Sequence, residues 1–257
     1  MPTRDTAWPA GTPCWIDYSA ADIDAAKSFY GDALGWAFTE GVPEFGGYLT
    51  CQTQGHAVAG MVPRMDTETP PMWTTYFASD DADATVAAIS GAGGTVIAAP
   101  MDVASLGRMA IALDPQGNAF GVWQAGEHIG VELYNEPGSL VWNDAAVEDP
   151  AAAQSFYSAV FGWHFKAMTM DGGPPDYATF DTDGRPLGGI FRGEAGSTGW
   201  GTCFSVASAD DTVATVQGGG GTVSMPPVDA PFGRFAGLLD PWGGAFTVMQ
   251  EPAGAAT

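Results

Sequence analysis

The chain is poor in positive charge. Its 257 residues carry 8 Lys and Arg against 30 Asp and Glu, a formal net charge of −22. Such a surface repels phosphate backbones and anionic lipid, which argues against nucleic-acid and membrane-surface partners. Cysteine is scarce too. Cys14, Cys51 and Cys203 form no C-x-x-C pair and no even-numbered framework, so a disulfide scaffold is excluded and a reducing cytoplasm is expected. No stretch approaches the roughly 18 apolar residues of a membrane-spanning helix, and the opening MPTRDTAWPAG has no apolar signal-type core. There is no G-x-S-x-G elbow, no P-loop and no G-x-G-x-x-G following a strand. The glycine run at 218–221 reads as a helix stop. The three histidines, His56 in a turn, His128 between the copies and His164 after a Gly-Trp pair, fall on no expected cleft position and read as surface or structural.

What is present is repetition. Residues 11–40 (GTPCWIDYSAADIDAAKSFYGDALGWAFTE) return as residues 138–167 (GSLVWNDAAVEDPAAAQSFYSAVFGWHFKA). Trp15 answers to Trp142, Asp17 to Asp144, Ser28-Phe29-Tyr30 to Ser155-Phe156-Tyr157 and Gly35-Trp36 to Gly162-Trp163, each pair 127 positions apart. A whole domain has been duplicated. At 46% hydrophobic residues the chain has material for two cores, and its length suits two domains. The expected division is residues 1–126, a linker at 127–137 and residues 138–257.

Within each copy, short alternating apolar runs broken by Gly and Pro read as strands, and Ala-rich segments opened by Asp read as helices. In the first copy the pattern predicts strands over 13–19, 36–40, 48–53, 57–62, 73–79, 95–98, 108–114 and 119–124. It predicts helices over 22–33 and 83–91, and a Pro-containing crossing at 66–71. The last two strands are joined by the turn Asp-Pro-Gln-Gly at 114–117. The second copy follows suit, with its second helix at 210–217 and the turn Asp-Pro-Trp-Gly at 240–243. Each copy is therefore expected to be βαβββ-βαβββ.

The run D-x-x-x-A-x-S-F-Y-x-x-x-x-G-W, at 22–36 and again at 149–163, resembles the opening module of the vicinal oxygen chelate superfamily, which includes the glyoxalase, bleomycin-resistance and extradiol-dioxygenase proteins. The endings GRMAIALDPQGNAFGVWQ (107–124) and GRFAGLLDPWGGAFTVMQ (233–250) are similar to its closing hairpin. The resemblance implies an α+β fold of four βαβββ modules forming two tandem half-open barrels. Metal enzymes of the superfamily place ligands at three recurring points. Carried onto this sequence, these fall at Trp15 and Trp142, near Thr74 or Thr75 and Gly201 or Thr202, and at Gly121 and Thr247. None is His, Glu, Gln or Asp, so the usual metal chemistry is disfavoured, and no metal or other cofactor is expected.

With the ligand positions facing the cleft, as the resemblance implies, strand parity places Trp15 with Asp17, Trp142 with Asp144, Ala119, Gly121 and Trp123 together, and Ala245, Thr247 and Met249 together on cleft faces, with Phe120 and Phe246 behind. Tyr48, Trp73, Tyr177 and Trp200 complete the candidate ligand-binding set. Small residues leave volume while Trp and Met supply polarizable walls, which suits a dry pocket for an aromatic ligand. The alternative is that the aromatic side chains simply fill the barrels. Arg108 and Arg234 invite two readings, a ligand-orienting charge or a carboxylate-paired brace. Asp17 and Asp144 are the candidate general bases for metal-free chemistry, since burial beside Trp raises a carboxyl pKa; the equal alternative is that backbone amides near the strand end satisfy each of them.

Two function classes follow. The first is metal-independent binding, sequestration or presentation of a hydrophobic, aromatic small molecule such as an antibiotic or biosynthetic product. The second is an enzyme of the same superfamily, a lyase, isomerase or hydroxylase-type protein using Asp as base or non-standard metal ligands. A structural or protein-interaction role has only the acidic surface behind it. Because duplication supplies two paired units in one chain, either a monomer or a homodimer is compatible with the sequence.

Overall fold

The computed structural model describes residues 2–64, 70–168, 176–194 and 198–252. The expected crossing at 66–71 lies mostly outside the described residues. The first copy runs β1 (Pro13–Ala20), α1 (Ile23–Leu34), β2 (Ala37–Phe38), β3 (Leu49–Thr53), β4 (His56–Pro63), β5 (Met72–Ala78), α2 (Ala82–Gly91), β6 (Thr95–Val103), β7 (Gly107–Leu113) and β8 (Ala119–Ala125). The second runs β9 (Leu140–Val147), α3 (Pro150–Phe161), β10 (His164–Ala167), β11 (Ala178–Asp181), β12 (Gly188–Arg192), β13 (Gly199–Ser205), α4 (Ala209–Gly218), β14 (Thr222–Ala230), β15 (Gly233–Leu239) and β16 (Ala245–Gln250). Each copy is one eight-stranded sheet, ordered β2-β3-β4-β1-β5-β8-β7-β6 and β10-β11-β12-β9-β13-β16-β15-β14. The fold is α+β, two tandem βαβββ-βαβββ units.

Local chemistry explains the elements. Asp22 and Asp149 sit before α1 and α3 with carboxyl oxygens accepting from the first free amides, and Gly35 and Gly162 close both helices in the left-handed conformation. Caps of this kind are worth about 1 kcal/mol each. In the two Asp-Pro-x-Gly turns, Asp114 Oδ1 accepts from the Gln116 and Asn118 amides and Asp240 Oδ1 from those of Trp242 and Gly244. Two expectations needed adjustment. The strand expected at 36–40 shrinks to Ala37–Phe38, followed by a 3-10 turn at Pro43–Phe45. The strand expected at 95–98 extends to Val103 through Pro100, which an edge strand with register shifts accommodates.

The copies are not separate barrels with private cores. Helix α1 packs on α4, and α2 on α3. One core joins Phe29, Tyr30 and Trp36 of the first copy to Phe204, Val216 and Phe246 of the second. The other joins Phe77, Ile89 and Phe120 to Phe156, Tyr157, Trp163 and Trp200. Both Gly-Trp tryptophans reach across: Trp36 Nε1 donates to the Gly138 carbonyl at 2.6 Å and Trp163 Nε1 to the Gly11 carbonyl at 2.8 Å. The residues repeated in both halves are thus largely those that join the halves. The faces left over, away from the helices, are the clefts.

The segment between β8 and β9 is a packed strap. Val131 donates to the Cys14 carbonyl and Glu132 to that of Ala57, each at 2.8 Å. Ala57 donates back to Glu132 Oε2 at 2.8 Å, and Val131 and Leu133 are buried.

Candidate functional site

β1 reads Pro-Cys-Trp-Ile-Asp-Tyr-Ser-Ala. Its alternation sends Trp15 and Asp17 to the cleft, and Ile16, Tyr18 and Ala20 under the helices. Register fixes the neighbours. Trp15 lies opposite Tyr76 and Asp17 opposite Thr74 on β5, Asp17 lies beside Gly60 on β4, and Tyr76 lies beside Gly121 on β8. The second copy repeats this with Trp142 opposite Cys203, Asp144 opposite Gly201 and beside Gly189, and Cys203 beside Thr247. The second ligand-type position is therefore Thr74 and Gly201. Thr75 and Thr202 face the other way, where Asn143 Nδ2 donates to Thr75 Oγ1 at 3.1 Å in the contact between copies.

In the first cleft Trp15 Nε1 donates to the Tyr48 hydroxyl at 2.7 Å, and the Tyr76 hydroxyl donates to Asp17 Oδ2 at 3.0 Å. In the second, Trp142 Nε1 is shared between Asp144 Oδ1 (2.8 Å) and the Tyr177 oxygen (3.1 Å), and Tyr177 donates to the same Oδ1 at 2.9 Å. Both tyrosines need a glycine beneath them. A Cβ at Gly60 would lie 1.7 Å from the Tyr48 oxygen, and one at Gly189 would lie 2.3 Å from the Tyr177 oxygen and 2.4 Å from Asp144 Oδ1. A Trp-Asp-Tyr-Gly unit thus recurs in both copies. Neither Gly60 nor Gly189 stood out in the sequence; they mark where another group approaches the backbone too closely for any side chain.

Burial among these rings pushes Asp17 up to about 7 and Asp144 up to about 6. The hydrogen bond from Tyr76, and those from Tyr177 and Trp142, oppose the rise without cancelling it. Burial, reinforced by the neighbouring carboxyl, also raises the thiols of Cys51 and Cys203, so neither is a thiolate at neutral pH.

The two clefts differ in how they are closed. In the first, the Tyr76 ring lies across Gly121, where a Cβ would meet Cδ1 at 2.0 Å. Trp15 and Trp123 are 3% and 7% exposed. The strap adds His128, whose ring stands edge-on to Trp15 (centroids 4.3 Å apart, 87° between planes) and 5.4 Å from that of Trp123. The expectation that His128 has no cleft position is corrected here: the strap carries it there, and no strand pattern could have shown it. Burial lowers its pKa to about 4, against an opposing pull from Glu132. In the second copy Cys203 replaces Tyr76, Thr247 replaces Gly121 and Met249 replaces Trp123. Trp142, Cys203, Thr247 and Met249 are all only half-buried.

Four expected ligand-binding residues are elsewhere. Trp73 and Trp200 face the joint cores, where their indoles donate to the Tyr30 and Tyr157 hydroxyls at 3.2 and 2.8 Å. They sit on the opposite strand parity from Thr74 and Gly201. Arg108 is clamped by Asp83 and Asp102, and Arg234 by Asp210 and Asp229, at 2.8–3.0 Å on the surface. They brace strand to helix and point at no cleft. A half-open depression of about 180 Å³ bordered by Trp8, Ser79, Asp80, Trp123 and Ile129 touches neither Asp17 nor Tyr48. Its Ser79 hydroxyl is already engaged with Thr85 and the start of α2.

The metal question turns on donor chemistry. The three ligand-type positions present indole, hydroxyl or nothing, and each cleft offers one carboxyl, joined in the second by the protonated thiol of Cys203. No group of three or more His, Cys, Asp and Glu close enough to hold an ion occurs among the described residues. The residues present do not fit the divalent ion that metal enzymes of this fold carry.

Two curled eight-stranded sheets of paired βαβββ units, each with one aromatic-walled cleft, define a glyoxalase-type protein. The chain belongs to the Glyoxalase/Bleomycin resistance protein/Dioxygenase superfamily, whose model matches residues 14–122 and 139–248. It is 38% identical over 258 residues to the Mycobacterium bovis protein named "Putative glyoxylase CFP32", covering 97% of this chain and 98% of that one. It is also 38% identical over 267 residues to the "Anthracycline biosynthesis protein DauV" of Streptomyces sp. strain C5, covering 95% of each. In fold it is similar to an Mn(II)-bound glyoxalase from Novosphingobium aromaticivorans (TM-score 0.68, 16% identity, 94% of this chain and 82% of that one). It is likewise similar to the 2,3-dioxygenase LapB from Pseudomonas sp. KL28 (TM-score 0.67, 14% identity, 98% and 96%). No helix among the described residues is long and apolar enough to cross a membrane.

Proposed function

We propose that the chain binds a flat, largely apolar aromatic small molecule in a cleft of this type, without a metal ion, and sequesters it or presents it to an enzyme. One observation carries this reading. Where metal enzymes of the fold carry ligands, these clefts carry an indole anchored to a tyrosine hydroxyl, joined in the second cleft by Asp144, beside positions held by small residues. Such a wall offers stacking surface and one polar anchor, which suits aromatic recognition better than ion coordination. The relatives named for anthracycline biosynthesis, DauV and the Streptomyces peucetius protein DnrV, support a role around an antibiotic or another biosynthetic product.

The test has two arms. Purified protein is dialysed and its Zn, Fe and Mn measured, and aromatic compounds are titrated while Trp emission is followed. Saturable quenching with substoichiometric metal supports the reading; a stoichiometric metal that survives dialysis overturns it. A second reading is favoured by Asp144 alone. A carboxyl held near 6 beside Tyr177 is ionised at neutral pH, yet basic enough to accept a substrate proton. In that case Asp144→Asn abolishes turnover while leaving binding within a few-fold.

A further inference from the structure

We propose that at neutral pH the first cleft is occupied by the protein's own His128, and that only the second cleft takes an external ligand. That ligand docks a neutral aromatic ring where His128 docks in the first. This rests on the aromatic-binding reading above and says which cleft, which ring position and how many ligands per chain.

The argument starts from the equivalence of the two indoles. Trp15 and Trp142 occupy the same strand position, and each turns its Nε1 to the hydroxyl of the matching tyrosine, Tyr48 or Tyr177. Their ring faces are therefore presented to their clefts in the same way. In the first cleft that indole has a partner, the imidazole of His128, edge-on at 4.3 Å, with Trp123 closing the other side. The imidazole is held there from both directions along the strap. Ahead of it, the Gly126 and His128 amides bond to the Leu106 carbonyl (2.9 and 3.0 Å) and Glu127 to that of Ser105 (3.0 Å). Behind it, Val131 bonds to Cys14 and Glu132 to Ala57. Trp123 Nε1 also donates to the His128 carbonyl at 2.9 Å.

The second cleft has the same indole and no such partner among the described residues. By the 126-residue offset that relates Gly121 to Thr247 and Trp123 to Met249, the position matching His128 in the sequence is Gly254, which has no ring. The ring-sized filler Tyr76 is Cys203, and Trp123 is Met249, an adaptable side chain suited to an aromatic guest. The ring that fills this position in the first cleft is an uncharged imidazole, so the matching guest is a neutral ring, with a polar substituent donating toward Asp144 and Tyr177.

The experiment is isothermal titration of the full chain with 2-naphthol, neutral at pH 7. The wild type is expected to bind one per chain. Trp142→Ala weakens that binding at least 10-fold. His128→Gly raises the count to two by vacating the first cleft. The double variant Cys203→Tyr with Thr247→Gly transplants the first cleft's closure into the second and takes the count to zero, a result that does not depend on the strap variant folding. Two sites in the wild type, retention of binding in the double variant, or a count of one in folded His128→Gly overturns the assignment while leaving aromatic binding intact. If neither the wild type nor folded His128→Gly binds the probe, the aromatic-binding reading falls with it.

Discussion

The phenol of Tyr30, in the first copy, donates a 2.8 Å hydrogen bond to Asp240, in the last turn of the second. Tyr18 donates to the same carboxyl oxygen, while the other oxygen holds the turn through the Trp242 and Gly244 amides. The mirror pair, Tyr157 to Asp114 at 3.1 Å, joins the copies in the opposite sense. A buried carboxyl with four donors on two chain segments is costly to strip of partners. Tyr30→Phe is expected to lower stability by about 1–2 kcal/mol and Asp240→Asn by about 2–4 kcal/mol. Urea denaturation should show one transition followed alike by Trp emission and circular dichroism. Two separated transitions would mean that the copies fold independently and that these bonds are incidental.

Much of this architecture was legible in the sequence because duplication prints it twice. Helix caps, strand parity and the two closing hairpins follow from local chemistry that the repeat reinforces. The direction in which Tyr30, Trp36, Tyr157 and Trp163 act was not legible. A repeated residue reads equally as core of its own copy or as contact with the other, and only the packing of α1 on α4 and α2 on α3 decides. Trp73 and Trp200 were misplaced for a related reason: β5 and β13 carry apolar or hydroxyl residues on both faces, so a one-residue slip leaves the pattern equally plausible while reversing every side chain. His128 was missed because its position comes from the path of a strap between units, which has no periodicity to read.

Gly189→Ala should damage the second cleft specifically. The added methyl would fall 2.3 Å from the Tyr177 oxygen and 2.4 Å from Asp144 Oδ1, so the tyrosine must swing away and the indole loses its anchor. Overpacking of this kind costs about 1–3 kcal/mol. Binding of an aromatic probe should weaken at least 10-fold. Gly60→Ala, which displaces Tyr48 in the first cleft, should cost similar stability and leave probe affinity unchanged. Equal losses of affinity in both variants would argue against a division of labour between the clefts.

The two buried carboxyls give stability a defined pH slope. Asp17 titrates near 7 and Asp144 near 6 in the folded chain, against an ordinary 3.8, chiefly because burial disfavours the ionised form. Between about pH 4 and 7 the folded state therefore binds more protons than the unfolded state, so stability falls as pH rises through that window and levels off above it. At pH 8 the penalty is on the order of 4 kcal/mol for Asp17 and 3 kcal/mol for Asp144. Thermal unfolding of wild type, Asp17→Asn and Asp144→Asn at pH 5, 6, 7 and 8 checks this. The acidic surface gives a background slope common to all three, and each Asn variant should show a shallower decline. Parallel curves would show that the carboxyls ionise freely.

His128 gives the opposite sign. Burial beside Trp15 and Trp123 lowers its pKa to about 4 from an ordinary 6.5, and Glu132 on the same strap opposes that without overcoming it. Between those values the unfolded chain binds a proton that the folded chain refuses, so this group removes stability as pH falls from about 6.5 toward 4. The strap is the element that can yield, because an imidazolium leaving the aromatic slot regains water without disturbing the sheet. Amide hydrogen exchange at Val131 and Glu132, corrected for intrinsic rates, should therefore accelerate at pH 5 relative to pH 7. In His128→Phe, which keeps a ring in the slot with nothing to protonate, protection should be flat across the same range. If the wild-type strap is equally protected at both pH values, protonation of His128 does not release the strap.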